Sequence, residues 1–383
     1  MVAAFRRGGS LRKVARRFRV GMATVHLWVC RAGTQRLDRV DWTDRPSIPC
    51  RIHRTDASLE DRVLTLRADL FRTSDLGQFG AGAIHQAMRQ QGLEPLPSVR
   101  TIGRILERRG ALDYRHRVRR PPPPRGWYLP EVAAREAELD SFDIIEGLRI
   151  KGGPEVQVLN GISLHGGLVL SRATLGVTAK IAAEVILEHW RQFGLPAYAQ
   201  FDNDTVFQGP HKFADVIGRV MRLCLSLGVV AVFVPPRETG FQALIENYNG
   251  WWQAKVWARF QHQSLAELQE RSARYLAASR CSRRQRIEAA PERSSFPKNW
   301  SLDLQATPKG KLIYLRRTND QGYVNFLGHT YLVDSRRPNR LVRAEVDLEA
   351  EMICFYALRR KEPNVQPLLT NVAYQLPKRR FHE

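Results

Sequence analysis

Apolar positions along the chain change period several times, and each change marks a predicted element. Leu11, Val14, Ala15 and Phe18 recur at helical spacing, Val20-Gly21 interrupts, and Val25, Trp28 and Val29 resume the pattern. This predicts two short helices around a turn over residues 10–31. A stretch with two prolines and few apolar residues, PSIPCRIHRTDA, reads as a linker at 46–57. A second helical unit follows, with GAGAIHQAMRQQGL and then PLPSVRTIGRILERRG. In the latter, Ser98 is placed to cap a helix whose apolar face is Ile102, Ile105 and Leu106.

The middle of the chain switches to strand signals. ELDSFDIIEGLRI, EVQVLNGISL and GGLVLSRATL read as three leading strands, and TAKIAAEVILEHWRQFG as an amphipathic helix. AYAQFDN then reads as a short strand, HKFADVIGRVMRLCLSLG as a helix, VVAVFV as a buried strand and ALIENYNGWWQAKVWARF as one long helix. Three strands followed by alternating helices and strands predict a mixed sheet covered by helices. Residues 263–305 read as helical and then irregular. The runs KLIYLRR, YVNFLGHTYLV, NRLVRAEVDL and EMICFYAL read as a small all-β barrel.

The expected organisation is multidomain: a helix-turn-helix unit at 1–45, a second helical unit at 57–112, a basic proline-rich linker at 113–130, and an α/β core at 131–262. A helical linker at 263–305 and a small β-barrel with a basic tail at 306–383 complete it.

Charge sharpens this picture. The chain of 383 residues carries a formal net charge of +22. Residues 1–125 hold 26 Lys and Arg against 11 Asp and Glu, residues 126–260 hold 12 against 14, and residues 261–383 hold 22 against 13. Basic arms around a near-neutral middle point to a polyanion partner. A membrane surface is disfavoured, because no apolar run is long enough to cross a bilayer and no basic amphipathic helix is evident. Without an N-terminal signal pattern, the expected location is the cytoplasm. The scattered, odd set Cys30, Cys50, Cys224, Cys281 and Cys354 argues for reduced cysteines, and the histidines lack zinc-site spacing.

The candidate chemistry lies in three acids: Asp143 in SFDII, Asp202 in QFDNDTVF and Glu246 in ALIENYNG. Two strand carboxylates and one helix carboxylate, if they converge, can hold two hard cations, which is a way to break and join phosphodiesters. Asp140 is the rival for the first position. Candidate DNA contacts are Thr24, His26 and Arg31 on the second predicted helix, and Arg100, Arg104 and Arg108, which repeat every four residues. Lys255 and Arg259, four apart on the Glu246 helix, are placed to grip phosphate.

The middle region resembles the integrase-type catalytic core of insertion-sequence transposases and retroviral integrases, over about residues 136–260. DNDTVF is similar to the family's D-N-G-x-x-F, and PPRETG with ALIENYNG is similar to the segment ending in E-R-x-N. FDII followed by VLNGIS is a weaker match. The resemblance implies a ribonuclease-H-like fold and a DDE-type polynucleotidyl transferase in which Asp143, Asp202 and Glu246 bind two Mg²⁺ (or Mn²⁺) ions.

It further implies cleavage at transposon ends, transfer of the 3′-hydroxyl into target DNA, double-stranded DNA as partner, a homo-oligomer on that DNA, and a bacterial, nucleoid-associated location. Departures are Asp204 in place of the family glycine, 43 residues between Asp202 and Glu246, and His165 in the SLHGG turn. A DNA-binding protein that has lost the chemistry and a simple nuclease are the competing expectations.

Overall fold

A computed structural model describes residues 1–43, 55–112, 126–210, 212–238, 240–360 and 362–382. Most of the 46–57 linker and of the 113–130 proline-rich tether, and Cys50, lie outside them. The chain divides into two compact units, Met1–Leu59 and Glu60–Glu383.

The first unit contains α1 (Val2–Arg6), α2 (Leu11–Phe18) and α3 (Met22–Ala32). Ser10 caps α2 by accepting the Lys13 N–H, and Arg19 adopts a left-handed conformation that ends it. Val14, Ala15 and Val25 are buried between the two helices, as their spacing predicts.

The boundary between the units falls within the first turn of α4 (Ala57–Thr73), and α5 (Ala81–Gln90) and α6 (Val99–Arg108) follow in the second unit. Ser98 accepts the Thr101 N–H at 3.1 Å, so the expected cap is present. After α7 (Pro130–Ala133) come β1 (Leu139–Arg149), β2 (Glu155–Ser163), β3 (Val169–Thr174) and α8 (Ala179–Phe193). Next are β4 (Tyr198–Phe201), α9 (Thr205–Gln208), α10 (Arg219–Ser226), β5 (Val230–Phe233) and α11 (Ala243–Trp252). A π-helical turn (Gln253–Trp257) leads to α12 (Leu265–Ser282) and α13 (Arg284–Glu288). The C-terminal strands are β6 (Lys311–Arg317), β7 (Tyr323–Phe326), β8 (His329–Leu332), β9 (Leu341–Asp347), β10 (Met352–Ala357) and β11 (Leu368–Ala373).

Among the described residues, nine strands form one mixed sheet in the order β11-β10-β9-β6-β5-β4-β1-β2-β3. β1, β2 and β3 form an antiparallel meander, and β4, β5 and β6 run parallel to β1. Gly161 on β2 lies opposite Phe142, whose ring would sit 2.8 Å from an added Cβ, so the close pairing of these strands requires glycine there.

The expected C-terminal barrel is therefore corrected. Four of its strands extend the central sheet, and only the β7–β8 hairpin stands apart. The physical reason is a row of rings on one face of the sheet. Phe142 stacks on Phe201 at 5.5 Å, Phe201 meets Phe233 at 6.0 Å, Phe233 stacks on Tyr314 at 5.1 Å, and Tyr314 stacks on Phe326 at 4.8 Å. The apolar core runs through β6 without a break, so β6 has no separate core to close around.

Two helices also differ from expectation. The helix expected across 211–228 begins only at Arg219, because Gly218 packs against Gln208, whose carbonyl oxygen would lie 2.6 Å from an added Cβ. The irregular segment before it docks the C-terminal strands: Asp215 accepts from His329 Nε2 at 2.8 Å and from the Tyr374 hydroxyl at 2.9 Å. The long helix expected after Ala243 stops at Trp252 and widens into the π-helical turn.

Candidate carboxylate site

Side chains alternate across β1, and this separates the two rival acids. Asp140 shares a face with Phe142 and points toward α8. It is 1% exposed, accepts the Trp190 indole N–H at 3.0 Å, and is gripped by both terminal nitrogens of Arg293 at 2.8 and 2.7 Å. Burial pushes its carboxyl upward, but Arg293 more than offsets this and holds it below the usual range. Asp140 is a buried structural ion pair.

Asp143 lies on the other face, beneath α11. The Asn249 amide donates to its Oδ2 at 2.7 Å, and the Ile144 N–H donates to its Oδ1 at 3.0 Å. Burial, then the negative charge of Asp202, and more weakly that of Glu246, push the Asp143 carboxyl up to about 6. The amide of Asn249 is itself oriented by a buried chain. Its Oδ1 accepts from Asn160 Nδ2 at 2.8 Å, Asn160 Oδ1 accepts from the Ser171 hydroxyl at 2.6 Å, and Ser171 lies 2.7 Å from the Tyr248 hydroxyl. With its acceptor occupied by Asn160, Asn249 presents its donor to Asp143.

Asp202 follows the last residue of β4, beside β1 in the sheet. Its Oδ1 accepts the Asp204 N–H at 3.0 Å, and burial raises its carboxyl above the ordinary value. Asp204, where the resemblance expects glycine, caps α9 through the Val206 N–H at 2.7 Å. Glu246 sits exposed in the first turn of α11, one turn before Asn249.

The donor chemistry suits a hard divalent cation, since burial and the Asp202 charge both raise the affinity of the Asp143 carboxylate for positive charge. Among the described residues, however, no three acidic, His or Cys side chains already form a closed cluster.

Sequence reasoning missed Arg316. This β6 side chain is 7% exposed and has no carboxylate partner among the described residues. It donates to the carbonyls of Leu315, Val234 and Asn325 at 2.8, 3.1 and 3.2 Å, and to Asn203 Oδ1 at 2.8 Å. Asn203 donates in turn to the Val234 carbonyl at 2.8 Å. The loop carrying Asp202 is thus tied to β5 and β6. Burial without a counter-charge lowers the Arg316 guanidinium to about 10. An arginine beside the apolar run LIYL was the available signal.

The predicted DNA contacts divide. Thr24 and His26 are exposed on α3, with His26 beside Cys30 at 3.5 Å. Arg31 packs over Trp28 at 5.0 Å, pairs with Asp41 at 3.7 Å and donates to the Thr43 carbonyl. On α6, Arg100 and Arg104 are exposed, whereas Arg108 is ion-paired with Glu60. Arg259 follows the π-helical turn, off α11, and donates to the Phe71 carbonyl at 2.8 Å and to the Ser74 carbonyl, at the C-terminal end of α4. Lys255 lies within the turn, half-buried. His165 is structural, donating from Nε2 to the Val132 carbonyl at 2.9 Å. Trp252 is buried against Ser272, and Trp251 is exposed.

These features define an α/β protein with acidic side chains gathered where a parallel strand joins an antiparallel meander, under one helix. No protein-family model and no curated protein matches the chain. Among solved structures it is similar to retroviral integrase catalytic cores. A chain of the simian T-cell lymphotropic virus intasome in complex with PP2A regulatory subunit B56 gamma is 16% identical, with 69% of this chain and 84% of that chain covered and a TM-score of 0.35. The catalytic core domain of BIV integrase is 16% identical over 37% of this chain and 81% of its own, with a TM-score of 0.27. The HTLV-2 integrase catalytic core domain in complex with magnesium is 13% identical over 36% and 82%, with a TM-score of 0.28. Among the described residues no helix is long and apolar enough to cross a membrane.

Proposed function

We propose that the chain is a metal-dependent polynucleotidyl transferase of the transposase/integrase type, acting on double-stranded DNA. The observation that carries this reading is Asp143 on β1, tied to Asn249 on the helix that bears Glu246, with Asp202 directly after the neighbouring strand β4 and near enough for its charge to raise the Asp143 carboxyl. The strand order β3-β2-β1-β4-β5, antiparallel and then parallel, supports a ribonuclease-H-like core.

Asp143, Asp202 and Glu246 would hold two Mg²⁺ or Mn²⁺ ions. Ions bound there would lower the pKa of an attacking water or 3′-hydroxyl and stabilise the leaving oxygen. The chain's own contribution is orientation: Asn249 fixes the Asp143 carboxylate, and the Asp204 N–H fixes that of Asp202. Thr24, His26, Arg100 and Arg104 are exposed for DNA contact, in helical units that would recognise element ends. Work on two DNA ends would require a homo-oligomer.

A second reading, a DNA-binding protein without the chemistry, is favoured by the exposed Glu246 and the lack of a closed acidic cluster among the described residues. The test is incubation of the purified protein with DNA carrying its element's ends and Mg²⁺ or Mn²⁺, beside Asp202→Asn and Glu246→Gln. The proposal expects end-specific nicking and joining, lost in both variants. Tight binding with no metal-dependent cleavage would establish the second reading.

A further inference from the structure

Beyond the acidic site, the parallel strands lead to a cleft of about 640 Å³ at their C-terminal ends. Arg317, Arg336, Arg337, Arg340, Arg359 and Arg360 line it, over a floor that includes Trp127 and Phe241. These arginines come from the end of β6, the turn before β9 and the segment after β10, which the sheet order brings together. The opposite wall includes Glu238 and Gly240, from the loop between β5 and α11, the helix that carries Glu246. Asp202 lies at the matching end of β4, two strands from β6 and so roughly 10 Å across the sheet.

Several of the arginines are already partnered. Arg317 is held by both Glu238 oxygens at 2.5 and 2.8 Å, Arg336 and Arg337 flank Asp334 at 3.4 and 3.9 Å, and Arg359 pairs with Glu362 at 3.3 Å. Arg340 and Arg360 are exposed and have no carboxylate partner among the described residues. Six guanidinium groups around one concavity repel one another, and a concave positive wall focuses its field on an incoming anion. Planar guanidinium forks also match phosphate oxygens.

We propose that this cleft binds the phosphodiester backbone of the nucleic acid whose neighbouring phosphates lie at the carboxylate site, with Arg340 and Arg360 as direct phosphate contacts. The proposal rests on the nucleic-acid reading above, but its test needs no chemistry. Binding of a fluorescein-labelled oligonucleotide duplex is followed by anisotropy across a salt series, in EDTA, for the full chain and for Arg340→Glu/Arg360→Glu. Two lost phosphate contacts reduce the slope of log K against log salt by roughly 2 and weaken binding by about ten-fold or more at moderate salt.

Arg340→Gln/Arg360→Gln, checked by thermal melting, provides the same measurement without reversed charge and is expected to show most of the slope change. Unchanged affinity and slope in both double variants overturns the proposal, whatever the cleavage assay shows. Inorganic phosphate displacing the duplex at low concentration would also overturn it, assigning the cleft to a small anion. A reduced slope alongside absent cleavage in the parent protein keeps the cleft and removes only the enzymatic reading.

Discussion

Replacing Asp143 by Asn makes the protein more stable at neutral pH, whereas replacing Asp140 by Asn makes it much less stable. Burial and the charges of Asp202 and Glu246 raise the Asp143 carboxyl from an ordinary 3.8 to about 6. In that interval the folded state binds a proton that the unfolded state has lost, so stability falls as pH rises. At 1.36 kcal/mol per unit, the penalty above pH 6 is about 3 kcal/mol, reduced to about 1–2 kcal/mol by the solvent that reaches a partly exposed group. Below about pH 4 both states are protonated and the penalty vanishes. Asn at 143 keeps one acceptor, for the Asn249 amide, removes the charge and gives up the hydrogen bond from the Ile144 N–H, so Asp143→Asn gains at most this amount at neutral pH and nothing in acid.

Asp140→Asn does the reverse. It leaves the Arg293 guanidinium, 14% exposed, without its counter-charge, at a cost of about 3–5 kcal/mol. Urea unfolding of the full chain, followed by tryptophan fluorescence at several pH values, measures both. A destabilised Asp143→Asn at neutral pH, or a near-neutral Asp140→Asn, would refute the assignment of faces. Mg²⁺ provides a second arm: it should stabilise the parent protein by about 2.7 kcal/mol at roughly a hundred-fold excess over its Kd and leave Asp143→Asn almost unmoved.

Two further substitutions test the supporting contacts. Arg316→Met leaves the Val234 carbonyl and Asn203 Oδ1 each with one donor fewer, so it should cost about 2–3 kcal/mol and diminish the stabilisation by Mg²⁺, read as the metal-induced shift in melting temperature; a full metal response would show that the Asp202 loop is held without it. Arg259→Ala removes the donors at the end of α4 and should lower stability by about 1–2 kcal/mol in a denaturant melt while leaving the salt dependence of DNA binding unchanged; a shallower slope would restore Arg259 as a phosphate contact.

Much of the core was legible because its signals are local. The strands around SFDII, VLNGIS and VVAVFV, the cap at Ser98 and the apolar faces of α2, α6 and α8 follow from spacing within a few residues. The three candidate acids stood out for the same reason, each lying in a run with its own local pattern. The odd separation of Asp140 and Asp143 shows in sequence that they occupy opposite faces of one strand. Which face is the site depends on Arg293, 153 residues away, and on Asn249, 106 residues away, so no local pattern could decide it. The C-terminal strands were misassigned because a short strand has the same appearance in a barrel as in an extended sheet. Leu312 to Arg316 are nevertheless all buried, and the unbroken apolar run LIYL marks a strand covered on both faces rather than one side of a barrel.

The arginines show the limit of counting charge. Arg280, Arg283 and Arg286 donate to carbonyls of Val169, Gly167 and His165, at or just before the sheet edge formed by β3; Arg259 caps α4, and Arg293 balances Asp140. In each, a positive charge that composition assigns to a polyanion is spent on the fold. An arginine suits this use because its five donors can satisfy several carbonyls at once and its charge persists when partly buried. The positive surface left for nucleic acid is therefore smaller than +22 suggests, and is found by asking which guanidinium groups lack a partner. Arg100 and Arg104 on α6, and Arg340 and Arg360 in the cleft, meet that criterion among the described residues. Two of these four lie at the same end of the sheet as Asp202, along which a phosphate backbone would have to run if the carboxylates act on it.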